Sequence, residues 1–200
     1  MRKVIYTTIF GEYDDLLEPA FKPDGYDFVC FTDSDLKSNT WEIRKVLPLY
    51  DDPTRSAKKY KILPHRFLSE YDYSFFVDGN ILVRGNQYLT DYNMAMFDHN
   101  KCEIYDRRNC VYQELQAILH LGQQRGVYKD NPELMIKQIQ KYQEKGYPQN
   151  NGLVCCMIMS RKHNESDVIK TMEDWWTEIK HNSRRDQLSF NYIAWKNNFN

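Results

Sequence analysis

Short apolar runs separated by longer amphipathic stretches predict an α/β domain built on a mostly parallel sheet. Two observations carry that prediction. The runs at residues 4–10, 28–31, 73–77 and 153–159 are nearly unbroken in apolar residues, as strands buried on both faces must be. Between them lie segments with helical spacing and helix-end residues. No repeat, low-complexity run or linker interrupts the 200 residues, a length suited to one domain with a real core.

The elements follow in order. Residues 4–10 and 28–31 form buried strands, the second ended by Thr32-Asp33, and residues 41–46 alternate as a strand near an edge does. Asp52-Pro53 starts a helix, with Asp52 as N-cap and Pro53 in the first helical position; Pro64 kinks or ends it. Residues 73–77 make a strand that stops at Asp78-Gly79-Asn80 and resumes over 81–83, and residues 102–105 are a further short strand. Residues 109–121 and 132–145 read as helices, with Gly146 stopping the second. After the strand at 153–159 come an amphipathic helix over 167–180 and a last helix opened by Ser183 and running through Trp195.

Composition removes several function classes. Lys and Arg total 27 against 28 Asp and Glu, so the basic excess of a nucleic-acid binder is missing. Basic residues cluster only locally, over 55–61 and at Arg184-Arg185, which suits a small anionic ligand. The cysteines number five, two of them adjacent, without zinc-like spacing, and predict reduced, mostly buried thiols in a cytoplasmic setting. The N-terminal apolar run is too short for a signal peptide, and no stretch reaches the ~18 apolar residues of a membrane span.

The segment that points to chemistry is Ser74-Phe75-Phe76-Val77-Asp78-Gly79-Asn80-Ile81. A buried strand delivers an acid at its carboxyl end, where ligands of open α/β sheets sit. Asp78 and Asn80 offer oxygens to a hard ion such as Mg²⁺ or Mn²⁺ bridging phosphates, and Gly79 clears room for phosphate. The same residues also suit a type I′ turn. Arg55 and Lys59, spaced i, i+4 on the preceding helix, can cradle a diphosphate; Lys58, Lys59 and Lys61 can equally be a solvated face. Arg55 sits in a first turn that usually prefers acids, which a bound anion would explain.

From Arg55 to Ile81 this pattern resembles the donor-binding segment of GT-A-type nucleotide-sugar glycosyltransferases, where a basic helix precedes a strand ending in Asp-x-Asp. It is nearest to short bacterial, plant and large-virus glycosyltransferases with Asp-Gly-Asn there; Asn80 departs from the commoner second Asp, leaving Asp78 the firmer ligand. The resemblance implies a single GT-A-type, Rossmann-like domain over 1–200, with a nucleotide-binding half (1–83) and a sugar and acceptor half (84–200). Thr7-Thr8 with Gly11-Glu12-Tyr13-Asp14 resembles the nucleotide loop, and Asp33 the acid that meets base or ribose. Asn151-Gly152 resembles the segment lining the sugar pocket in retaining members, and Asp186-Gln187 the helix start near the reacting carbon. Asp33 also suits a turn cap, Asn151-Gly152 a plain loop, and Ser183 to Asp186 a capping box. Trp175 and Trp176 fall on an apolar helical stripe and read as core. Related enzymes often take a third metal ligand from a C-terminal His; none follows Asp186, leaving that ligand missing, to water, or outside this chain.

The expected activity is transfer of a sugar, with retention, from a metal-bound nucleotide-diphosphate sugar, a UDP-sugar first, to a glycan or glycoprotein acceptor. Asp78, Asp186 and Gln187 are the catalytic candidates. Thr7, Thr8, Asp33, Arg55, Lys59, Gly79, Asn151 and Gly152 are the donor contacts, and Mn²⁺ or Mg²⁺ is the ion. The alternatives are a catalytically weak glycan- or partner-binding domain and a sugar nucleotidyltransferase, although the first strand is followed by Gly11 alone, not by a glycine-rich loop.

Overall fold

A computed structural model describes residues 1–86, 89, 94–99 and 108–199. Six strands form one sheet in the order β3-β2-β1-β4-β6-β5, flanked by helices. β1 (Lys3–Ile9) is central and runs parallel to both β2 (Tyr26–Thr32) and β4 (Tyr73–Val77). β3 (Glu42–Lys45) lies parallel outside β2 as a half-exposed edge, as its alternating sequence predicts. β6 (Val154–Arg161) pairs antiparallel with β4, from Ser74 opposite Arg161 to Val77 opposite Ile158. All five residues of β4 are buried, which explains its unbroken apolar sequence.

The parallel strands β1, β2, β3 and β4 end at Ile9, Thr32, Lys45 and Val77, so their following loops start at one edge of the sheet. That edge is where an open α/β sheet accepts ligands. α1 (Pro53–Ile62) begins as predicted: the Asp52 carboxylate accepts the Thr54 backbone N–H at 3.0 Å. Tyr60 stacks on Phe31 at 5.0 Å and Phe10 at 5.4 Å, seating the helix on β1 and β2. Pro64 ends α1 and opens the short α2 (Pro64–Phe67).

The chain divides into two compact units, Met1–Ala95 with Met157–Met172, and Met96–Cys156 with Glu173–Asn200. In the first, Ile5, Ile9, Phe28, Cys30, Trp41, Phe75 and Val77 make a continuous core on one side of the sheet. Arg161, fully buried, donates to Tyr6 Oη and, at 2.9 Å, to the Lys61 carbonyl. Tyr6 donates to the same carbonyl at 2.6 Å. A buried guanidinium thus satisfies the orphan carbonyl end of α1, where a cation is electrostatically favoured.

The second unit carries α3 (Val111–Arg125), α4 (Pro132–Glu144) and α6 (Phe190–Lys196), while α5 (Ser166–His181) begins in the first unit and ends in the second. Gly126 and Gly146, at φ +68° and +77°, terminate α3 and α4. Trp175 and Trp176 are buried, as the apolar stripe predicts.

Three expectations need correction. Residues 81–83 do not resume as a strand; the chain turns, with Ile81 N–H donating to the Asp78 carbonyl at 2.9 Å. The last helix is broken into a 3-10 turn (Asp186–Leu188) and α6, because polar side chains capture the backbone. Asp186 accepts the Gln187 N–H, Ser183 Oγ accepts the Arg185 N–H, and Asp130 accepts from Ser183 Oγ and the Arg184 N–H. That pattern is not the capping box that Ser183 to Asp186 also suited. A strand unforeseen in the sequence, β5 (Met94–Asp98), lies at the sheet edge; its Met-Ala-Met composition lacks β-branched residues. The expected strand over 102–105 lies outside the described residues. No helix among the described residues is long and apolar enough to cross a membrane.

Cys30, Cys110, Cys155 and Cys156 are buried and form no disulfide, and burial pushes Cys30 up to about 12, leaving it protonated and inert. Cys102 lies outside the described residues.

Candidate functional site

Asp78 follows the last residue of β4, and its backbone N–H is tied to the Met157 carbonyl at 2.9 Å. Its carboxylate is 39% exposed and accepts from the Lys61 ammonium at 2.9 Å, while the Lys61 side chain is only 3% exposed. Lys61 also lies 4.6 Å from the centroid of the Phe76 ring. The sequence reading left Lys61 on a solvated face; it is instead a buried cation facing Asp78. Its flanking residues, Tyr60 and Ile62, are both buried, and that apolar bracketing was the available signal.

Asp14 completes the cluster. Partial burial, then the neighbouring charges of Asp78 and Asp15, pushes its carboxyl above the ordinary range. Gly79 explains the closeness. A Cβ there would sit 3.0 Å from Asp14 Cβ and 3.0 Å from Ile9 Cγ1. The space that sequence reasoning reserved for phosphate at Gly79 therefore lies against the chain's own side chains. A turn does form over 78–81, but neither Gly79 nor Asn80 has positive φ, so it is not type I′. Asn80 is exposed on that turn.

Beside this edge, a cavity of about 410 Å³ is lined by Gly11, Asp33, Pro48, Leu49, Tyr50, Asp51 and Pro53. Asp33 accepts the Gly11 N–H on both oxygens, at 3.0 and 3.2 Å, so it serves as a turn partner and as cavity wall together. Gly11 needs to be glycine twice over: φ is +63°, and a Cβ would meet Pro53 Cβ at 2.8 Å. Arg55, mostly buried, lies 3.8 Å from the Asp52 carboxylate, so the acid expected near a helix start is supplied by the N-cap. Lys59 is half-buried on the same helix. Thr7 is buried within β1 and Thr8 is half-buried, so Thr7 stands within the sheet, not at its edge.

A half-exposed acid paired to a buried lysine, a second acid and a cavity thus lie in the loops that follow the parallel strands. Over residues 1–200 the chain matches the family model TOD1/MUCI70, glycosyltransferase-like domain. The chain belongs to this glycosyltransferase-like family. No curated protein matches it.

The second unit of this glycosyltransferase-like domain holds the remaining predicted residues. Gly152 takes φ +79°, and a Cβ there would meet Asn191 Nδ2 at 3.3 Å. Asn191 in turn accepts the Val154 N–H at 3.1 Å, while Asn151 donates to Tyr147 Oη at 3.4 Å. Gln187 donates to the Val154 carbonyl at 3.2 Å and accepts from Arg185 at 3.0 Å. Asp186 is 3% exposed. Sequence reasoning missed Glu114, which is 1% exposed and lies between two guanidinium groups, Arg108 at 2.9 Å and Arg185 at 3.2 Å. An acid in the first turn of a helix looks like ordinary dipole compensation, so the sequence held no signal for it. Among the described residues, no three His, Cys, Asp or Glu side chains form a metal cluster.

Proposed function

We propose that this chain transfers a sugar from a nucleoside-diphosphate sugar, a UDP-sugar first, to a glycan or glycoprotein acceptor. The observation that carries the reading is Asp78: an acid at the carboxyl end of a buried strand, half-exposed, with Lys61 and Asp14 beside it. The chain's membership of a glycosyltransferase-like family supports the same reaction class. The cavity at Gly11 and Asp33 would take the nucleoside, with Asp33 meeting base or ribose, and Arg55 and Lys59 on α1 would meet the phosphates. Buried thiols fit a reducing, cytoplasmic setting.

A divalent cation fits the donor set. Mg²⁺ and Mn²⁺ commonly use one or two carboxylates and complete their shell with substrate phosphates and water. Asp78 and Asp14 offer two carboxylates, with Asn80 on the same turn, so a third acid is not required. An ion held there would neutralise the diphosphate as leaving group. Asp186 and Gln187 are the candidates for the anomeric carbon, with retention as the expected outcome. In that role Gln187 would have to exchange its Val154 and Arg185 partners for the sugar.

A panel of UDP-, GDP- and dTDP-sugars, with and without Mn²⁺, tests this by thermal shift and by nucleotide release. The accepted donor should stabilise the fold by about 3–4 kcal/mol at several hundred times its Kd. It should also release nucleotide. Stabilisation without release would make the chain a binding domain, and no response to any donor would overturn the reading.

A further inference from the structure

The Lys61–Asp78 pair bears on how ligands enter, given the donor-site reading above. Lys61 cannot retreat far. Its backbone carbonyl is clamped by Arg161 at 2.9 Å and Tyr6 at 2.6 Å, and its side chain is enclosed against Phe76. Its ammonium rests on Asp78 Oδ1 at 2.9 Å, on the carboxylate a divalent cation would also use. A divalent cation and a confined ammonium on one carboxylate repel each other strongly, more so in a site of reduced dielectric. A diphosphate relieves the conflict, because its oxygens accept from an ammonium and coordinate a metal at once.

We propose that Lys61 couples the two ligands. Without diphosphate, Lys61 holds Asp78 and keeps it from binding a divalent cation well. With diphosphate present, Lys61 exchanges Asp78 for a phosphate oxygen, and Asp78 becomes free to coordinate. Diphosphate and cation therefore raise each other's affinity by one and the same factor, as linkage requires. The exchange also lets Asp78 remain half-exposed and unmetallated without an uncompensated charge.

The test is Mn²⁺ binding to the full chain, read by electron paramagnetic resonance of free Mn²⁺, with and without UDP and corrected for Mn²⁺ bound by UDP alone. Lys61→Met and Lys61→Gln are compared with wild type, and circular dichroism reports which of them fold. Wild type should bind Mn²⁺ weakly alone, and UDP should raise that affinity by about tenfold or more. In either folded Lys61 variant, Mn²⁺ alone should bind about tenfold more tightly than to wild type, and the UDP enhancement should shrink accordingly. Equal Mn²⁺ affinity in wild type and variant, or an equal UDP enhancement in both, overturns the coupling while leaving the donor site standing. Failure of wild type to bind UDP at all, with or without Mn²⁺, overturns the donor reading and the coupling with it.

Discussion

Asp78 and Asp186 occupy similar sequence contexts and opposite physical states. Each follows buried or basic residues, and each precedes a residue that could touch a ligand. Asp78 is half-exposed and is held by the buried ammonium of Lys61. Asp186 is 3% exposed, accepts the adjacent Gln187 N–H, and sits in a turn where Gln187 already spans Val154 and Arg185. An acid that faces solvent and is held through an ion pair can exchange that partner for a ligand. An acid and amide whose polar atoms are engaged within the chain hold a loop in place, and must break existing bonds to do chemistry.

The strongest attempt to break this contrast is Asp78→Asn. It should lower donor turnover by about 10²–10³-fold, the range for losing one preorganised electrostatic group, with a native circular dichroism spectrum. Unchanged turnover and Mn²⁺ binding would remove Asp78 from the site. Gln187→Ala probes the other side. If Gln187 faces the anomeric carbon, the catalytic rate should fall about 100-fold with donor Kd nearly unchanged. A wild-type rate in a merely less stable protein would confine this segment to structure.

Acid sensitivity separates an engaged buried group from a solvent-facing one. His163 is fully buried with its Nε2 3.0 Å from the Leu68 carbonyl, and burial lowers its pKa from 6.5 to about 4. The unfolded chain then binds the proton more tightly, so stability is full above about pH 6.5 and is lost as pH falls towards 4. The loss should reach about 3 kcal/mol, read by denaturant unfolding across that window. A His163→Gln variant that loses stability just as steeply would assign the effect elsewhere.

Smaller effects sharpen the geometry. Gly79→Ala brings a Cβ to 3.0 Å from Asp14 and Ile9, and should cost about 1–3 kcal/mol while weakening donor binding. A neutral result would mean the loop relaxes freely around Asp78. Asp186→Asn keeps an oxygen for the Gln187 N–H but removes the charge beside Arg185, and should cost about 1–3 kcal/mol, with folded-fraction turnover close to wild type. A large rate loss there would give the buried acid a role its present bonds do not.

Much of this was legible in the sequence because it depends on local rules. Asp52-Pro53 set the start of α1, Pro64 its end, and Gly146 the end of α4. The apolar runs marked β1, β2, β4 and β6, and the edge character of β3 was visible in its alternation. Asp78 could be singled out, and its place after β4 read correctly, because a strand end followed by Asp-Gly is a local signal. What the tertiary structure decided was which polar groups meet. Lys61 reads as one of several lysines until Tyr6 and Arg161, 55 and 100 residues away, fix its carbonyl and aim its ammonium at Asp78. Glu114 becomes a buried anion only when Arg108 and Arg185 close on it. The need for glycine at position 79 comes from Ile9 and Asp14, not from its own backbone angles. Propensity and capping act over a few neighbouring residues and can be read along the chain. Burial of a charge is settled by partners distant in sequence, and only the folded chain brings them together.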